Sequence, residues 1–113
     1  MNEQKRYGLS ELDLSKVISI LIKNEKIDEV ILFGSRAKGN FSNGSDIDLA
    51  LKGNCLTLND ILDASIEIDK LYLPYKFDLI IFDRINEKKL IDHIDRVGIS
   101  LTDNVSFKIQ LNS

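Results

Sequence analysis

The stretch "VILFGSRAKGNFSNGSDIDLALK", Val30 to Lys52, decides how this chain folds. An apolar run enters a Gly34-Ser35 corner, and a loop punctuated by Gly39 and Gly44 follows. The chain then returns through Asp46-Ile47-Asp48-Leu49-Ala50-Leu51. The apolar run in "EVILF", Glu29 to Phe33, predicts a short strand buried on both faces. The alternation in "DIDLALK" predicts a second strand, with Ile47, Leu49 and Leu51 on one side and the aspartates on the other.

Outward from this pair, helices and strands alternate. "LDLSKVISILIKNEK" sets Leu14, Val17, Ile18, Leu21 and Ile22 at helical spacing, with Asp13 as the expected N-cap. "TLNDILDASIEIDKL" predicts a helix capped by Thr57 or Asn59 and lined by Leu58, Ile61, Leu62, Ile68 and Leu71. Pro74, the sole proline, ends that region. "KFDLIIF", Lys76 to Phe82, is expected as a third strand. "NEKKLIDHIDRVG" predicts a last helix with Leu90, Ile91, Ile94 and Val97 inward and Gly98 at its end. "ISLT" can add a short strand, and "VSFKIQL" has the alternation of an edge strand. The pattern is an α/β (α+β) domain, one domain over residues 1–113, with three central strands.

Composition narrows the function. A hydrophobic content of 43% with 29% charged residues is ordinary for a globular domain. The formal charge of -3 argues against a general nucleic-acid-binding face. Cys55 and His93 are the sole residues of their kinds, which rules out an intrachain disulfide and any histidine-rich or thiolate metal site. No apolar run approaches a membrane span, so a cytoplasmic protein without membrane contact is expected.

Residues i and i+2 of a strand share a face about 6.6 Å apart. Asp46 and Asp48 therefore project together. About 7 Å apart at an effective dielectric near 20, such a pair repels by ~2.4 kcal/mol. That penalty becomes useful if the carboxylates hold a divalent cation, and an all-oxygen donor set selects magnesium or manganese. On these two residues alone, a polar strand start with Asp46 capping the Asn43-Gly44 turn explains them equally well. Gly34 allows close backbone approach, Ser35 adds a hydroxyl and an amide, and Arg36 and Lys38 add positive charge. This is neither a dinucleotide fingerprint nor a Walker A loop, and an ordinary strand-to-helix corner also fits it.

Taken together the residues resemble a family. Gly34-Ser35, ten intervening residues and Asp46-Ile47-Asp48 look like the signature of the DNA polymerase beta nucleotidyltransferase superfamily. More closely, "FGSRAKG" followed by "SDIDLAL" is similar to the minimal nucleotidyltransferases, or MNT proteins, over nearly the whole chain. The resemblance implies a mixed sheet of three to four strands flanked by helices. It also implies a third carboxylate on the neighbouring strand. "KFDLIIFD" offers Asp78 and Asp83, which face opposite sides of a regular strand; Asp78 matches the family position, and Asp83 is expected to cap the next turn.

In the implied mechanism Asp46, Asp48 and Asp78 are both catalytic and metal-binding, with Mg2+ or Mn2+ as cofactor and ATP as substrate. Gly34 and Ser35 would cradle phosphates with Arg36 as helper, while Lys38 is either a further phosphate contact or a solvated loop residue. The implied partner is a helical HEPN-type toxin, AMP passing from ATP to its tyrosine hydroxyl, with a homo-oligomer as another source of substrate-holding surface. Two rivals remain open: a small-molecule or antibiotic nucleotidyltransferase subunit, and an antitoxin that neutralises by contact alone. The acidic stripe of Asp60, Asp63 and Glu67 is expected to be a solvated face. His93 is assigned to the surface or a helix end, Cys55 to inert packing, and Tyr72 and Tyr75 to packing about Pro74.

Overall fold

The computed structural model describes residues 5–102. A small hairpin comes first, β1 (Lys5–Arg6) against β2 (Leu9–Ser10), and leads into α1 (Glu11–Ile22). Then follow β3 (Glu29–Phe33), α2 (Gly34–Lys38), β4 (Ile47–Lys52) and α3 (Leu58–Asp69). β5 (Phe77–Ile81), a 3-10 turn over Phe82–Arg84, α4 (Lys88–Val97) and β6 (Ile99–Ser100) complete the order. Four strands form one mixed sheet, β5-β4-β3-β6. β4 runs antiparallel to β3 and parallel to β5, and β6 runs antiparallel to β3. The edge strand expected in "VSFKIQL" lies outside the described residues.

Burial explains the strand patterns. Val30 and Leu32 join Ile47, Leu49 and Leu51 in the larger core, under α1 and α3. Ile31, Phe33 and Ala50 face the other way and pack with Ile94 of α4. β3 is thus covered on both sides, which its unbroken apolar run requires. On β4 the even positions share the smaller core's face, so Asp48 stands beside Ala50 at one end of that face.

The helix ends depart in part from expectation. α1 is capped by Ser10, whose Oγ accepts from Asp13 N at 3.3 Å, and not by Asp13. Asp13 therefore sits in the first turn, where its charge still favours the helix dipole. Thr57 caps α3 in a reciprocal box with Asp60: Thr57 N donates to Asp60 Oδ2 at 2.8 Å, and Asp60 N to Thr57 Oγ1 at 3.4 Å. Asp60 also accepts from Lys26 Nζ at 2.7 Å and from Asn24 Nδ2 at 3.0 Å. The Lys26 ammonium, then the Thr57 amide, hold its carboxyl well below the ordinary range. With Lys23 on Glu67 at 2.8 Å, two of the three stripe acids are bound to the end of α1 and do not form a merely solvated face.

The inward face assigned to α3 also needs correction. Ala64 and Ile68 are buried, while Leu58, Leu62 and Ile66 stay 62%, 50% and 54% exposed. Tyr72 is exposed rather than packed about Pro74, and Cys55 is exposed in a turn at φ 64°.

Candidate active site

β3 ends at Phe33, and the chain turns at once into α2 through Gly34 at φ +75°. Two constraints require glycine there. The left-handed backbone strains any L side chain, and a Cβ would overlap Asp48 Oδ2. Phe33 pairs in register with Asp48, so the corner and this carboxylate are brought together by the β3–β4 ladder itself.

The β4–β5 ladder supplies the next acid. Asp48 pairs with Asp78, while Leu49 pairs with Leu79 and Leu51 with Ile81. Register in a parallel pair is set by burying those apolar residues, and the same register seats the two aspartates side by side. Asp46 stands exposed, just ahead of β4. Asp83 lies in the 3-10 turn after β5, away from the Asp48–Asp78 pair in register.

The electrostatics reflect this crowding. Burial, then the Asp78 carboxylate and then that of Asp46, push the Asp48 carboxyl above its ordinary value, and His93 partly offsets them. Among the described residues, no three His, Cys, Asp or Glu side chains are gathered tightly enough to enclose an ion as they stand. In chemistry and charge the acids nevertheless fit a hard divalent cation: three oxygen donors whose mutual repulsion a cation would relieve.

His93 is the residue that sequence reasoning misplaced. From α4 its Nε2 accepts the Gly34 amide at 3.1 Å, and its ring meets Phe33 edge-on at 6.2 Å between centroids. The Gly34 N–H expected to face phosphate is thus already engaged by an imidazole. The signal in the sequence is that His93 stands three residues after Leu90, on the same face of α4, and Leu90 packs against the smaller core.

Arg36 is the second correction. It is 2% exposed, and its guanidinium donates to main-chain oxygens rather than presenting charge to a phosphate. Lys38 is exposed in the last turn of α2, and Ser35 sits half-buried at its start.

The family described as "Polymerase beta, Nucleotidyltransferase" matches residues 15–106. The chain belongs to that family. It is therefore a nucleotidyltransferase, consistent with the Gly-Ser corner set against paired aspartates. A protein of Methanocaldococcus jannaschii named "putative protein adenylyltransferase" is 34% identical over 94 residues, covering 79% of this chain and 92% of the relative. The fold is shared with solved toxin–antitoxin structures. A chain of the tri-AMPylated Shewanella oneidensis HEPN toxin in complex with MNT antitoxin superposes with a TM-score of 0.61 at 20% identity, covering 90% of this chain and 82% of that one. A chain of a toxin–antitoxin structure with AMP-PNP gives 0.61 at 19% identity, covering 87% and 83%. Among the described residues no helix is long and apolar enough to cross a membrane.

Proposed function

We propose that this nucleotidyltransferase is metal-dependent and moves AMP from ATP, with release of pyrophosphate, to a hydroxyl of a partner protein, a tyrosine of a helical HEPN-type toxin, so acting as its antitoxin. The observation that carries the reading is the side-by-side register of Asp48 and Asp78 against the Gly34 corner, with Asp46 close enough to raise the Asp48 pKa. The name of the M. jannaschii relative supports AMP transfer to protein, and the toxin–antitoxin neighbours support the kind of partner. Leu58, Leu62 and Ile66 form an exposed i, i+4, i+8 stripe on α3, a surface suited to a protein contact.

Asp46, Asp48 and Asp78 would hold Mg2+ or Mn2+. A bound divalent ion would supply charge neutralisation around the α-phosphate and lower the pKa of the acceptor hydroxyl. Asp78, exposed on β5, would accept the proton of that hydroxyl. Ser35, beside the engaged Gly34 amide, offers its own amide and hydroxyl to phosphate oxygens. For the Gly34 N–H to join them, the phosphate must displace His93 Nε2.

The test is incubation with magnesium, labelled ATP and a HEPN partner, followed by intact-mass measurement. The partner is expected to gain one or more AMP units on tyrosine. Asp46→Asn should lower that gain by ~10²-fold or more, the scale for losing one transition-state electrostatic contact. Silencing of the partner without a mass change, equally by wild type and Asp46→Asn, would establish neutralisation by contact and overturn the catalytic reading.

A further inference from the structure

Arg36 is a buried cation whose partners are, among the described residues, carbonyl oxygens and ring faces rather than a carboxylate. Its Nε and Nη2 donate to Ser45 O at 3.2 and 3.0 Å, and Nη2 reaches Asn43 O at 3.4 Å. Nη1 donates to Tyr7 O at 2.8 Å, in the turn of the amino-terminal hairpin. The guanidinium carbon lies 4.9 Å from the Phe41 ring centroid and 5.8 Å from that of Tyr75. One side chain therefore grips three separate segments.

Two of these segments lead to the acids. Arg36 stands two residues beyond Gly34 on α2. Ser45, which takes two of its N–H groups, directly precedes Asp46. Tyr75 precedes Lys76, whose carbonyl accepts Ile47 N at 2.8 Å where β4 meets the entry to β5 and Asp78. Asp46 lies outside the sheet ladder, so β-pairing alone does not place it. We infer that Arg36 is a positioning residue: it fixes the 43–45 loop and thereby sets Asp46 beside Asp48, with the hairpin as its outer buttress.

The hairpin is fitted to this task. Gly8 has φ +78°, and a Cβ there would come within 2.5 Å of Arg36 Nη1 and overlap Phe41. A methyl group at position 8, remote in sequence from every acid, would push the guanidinium off its acceptors. Lysine cannot replace Arg36, because an ammonium lacks the planar fork that reaches Tyr7 O and Ser45 O together.

The inference rests on Asp46 being a metal ligand, and the experiment separates the two. Full-length wild type, Arg36→Lys, Gly8→Ala and Asp46→Asn are compared by hydrogen–deuterium exchange and by Mn2+ titration with AMP-PNP, read by electron paramagnetic resonance. Arg36→Lys and Gly8→Ala should each speed exchange in peptides covering 40–46 by about tenfold while leaving α1 and α3 protected, as expected for a local opening. Both should raise the half-saturating Mn2+ concentration by about tenfold, the lower end of the range for losing an outer partner of a metal ligand. Asp46→Asn should weaken Mn2+ binding without speeding exchange in the hairpin. Wild-type exchange and wild-type Mn2+ midpoints in both Arg36→Lys and Gly8→Ala would overturn the positioning role. Should Arg36→Lys unfold globally, Gly8→Ala decides alone. A wild type that binds no Mn2+ would overturn the metal reading, and exchange in the 40–46 peptides would still decide whether Arg36 holds the loop.

Discussion

Asp48→Asn should stabilise the metal-free protein. Asp48 and Asp78 are register partners on adjacent parallel strands, which run about 4.8 Å apart. Asp78 is exposed, so water screens the pair, and an effective dielectric of about 60 is more apt than the 20 used for sheltered sites. At about 5.5 Å this gives a repulsion of ~1 kcal/mol. No hydrogen bond to the Asp48 carboxylate is found among the described residues to offset that cost. Neutralising one partner should raise Tm by about 3–5 °C for a domain of this size. The pH dependence has a definite sign. A carboxyl whose folded pKa is raised costs stability once ionised, so the penalty is absent below the ordinary value of 3.8 and complete above the folded value. The advantage of Asp48→Asn should therefore be full at pH 7.5 and shrink as pH falls toward 4. Thermal melts in chelator across that range are the assay. With saturating magnesium and AMP-PNP the order should reverse, since ligand at 100 times its Kd stabilises the parent by about 2.7 kcal/mol. A metal-free Asp48→Asn that melts below wild type at pH 7.5 would refute the reasoning and make Asp48 a structural acceptor.

Gly34→Ala should be far more damaging than its one added methyl suggests, because both the φ of +75° and the Asp48 carboxylate oppose a Cβ. A loss of about 1–3 kcal/mol is expected in denaturant titrations, and a loss below 0.5 would show that the corner relaxes freely. His93→Phe keeps an aromatic edge toward Phe33 but removes the acceptor for the Gly34 amide. It should speed exchange of that amide and alter the KM for ATP more than kcat, whereas His93→Gln, which retains an acceptor, should lie closer to wild type; identical behaviour of the two would deny the hydrogen bond any role.

The parts legible in the sequence are those fixed by neighbours along the chain. The apolar run of β3, the alternation of β4 and the Thr57 cap each follow from local pattern, and the structure holds them at Glu29–Phe33, Ile47–Lys52 and Leu58–Asp69. The hairpin at Lys5–Ser10 escaped notice because its strands are two residues each and its turn, Tyr7-Gly8, lacks the usual asparagine or aspartate. The contacts of His93 and Arg36 have no local signature. Their roles depend on partners at Gly34 and at Tyr7, separated by 59 and 29 residues, and no periodicity encodes such contacts. Leu58 and Leu62 looked inward because helical spacing defines a face without saying which face the sheet covers. The stripe acids look solvated because their partners, Lys23 and Lys26, lie far away in sequence, at the C-cap of α1 and in the turn after it.

β5 lies at the edge of the sheet and reaches β4 only after the whole of α3. The hairpin-like β3–β4 pair, with Asp46 and Asp48, can form early from nearby chain, whereas Asp78 arrives with the parallel crossover, the slower kind of pairing. The proposed centre therefore waits on that crossover. The order also runs in reverse. Fraying of this one edge strand, a smaller opening than global unfolding, would take Asp78 out of the proposed centre while the rest of the sheet stayed paired. Heat inactivation should accordingly precede loss of the main fold, and recover on cooling at the speed of strand docking rather than of refolding.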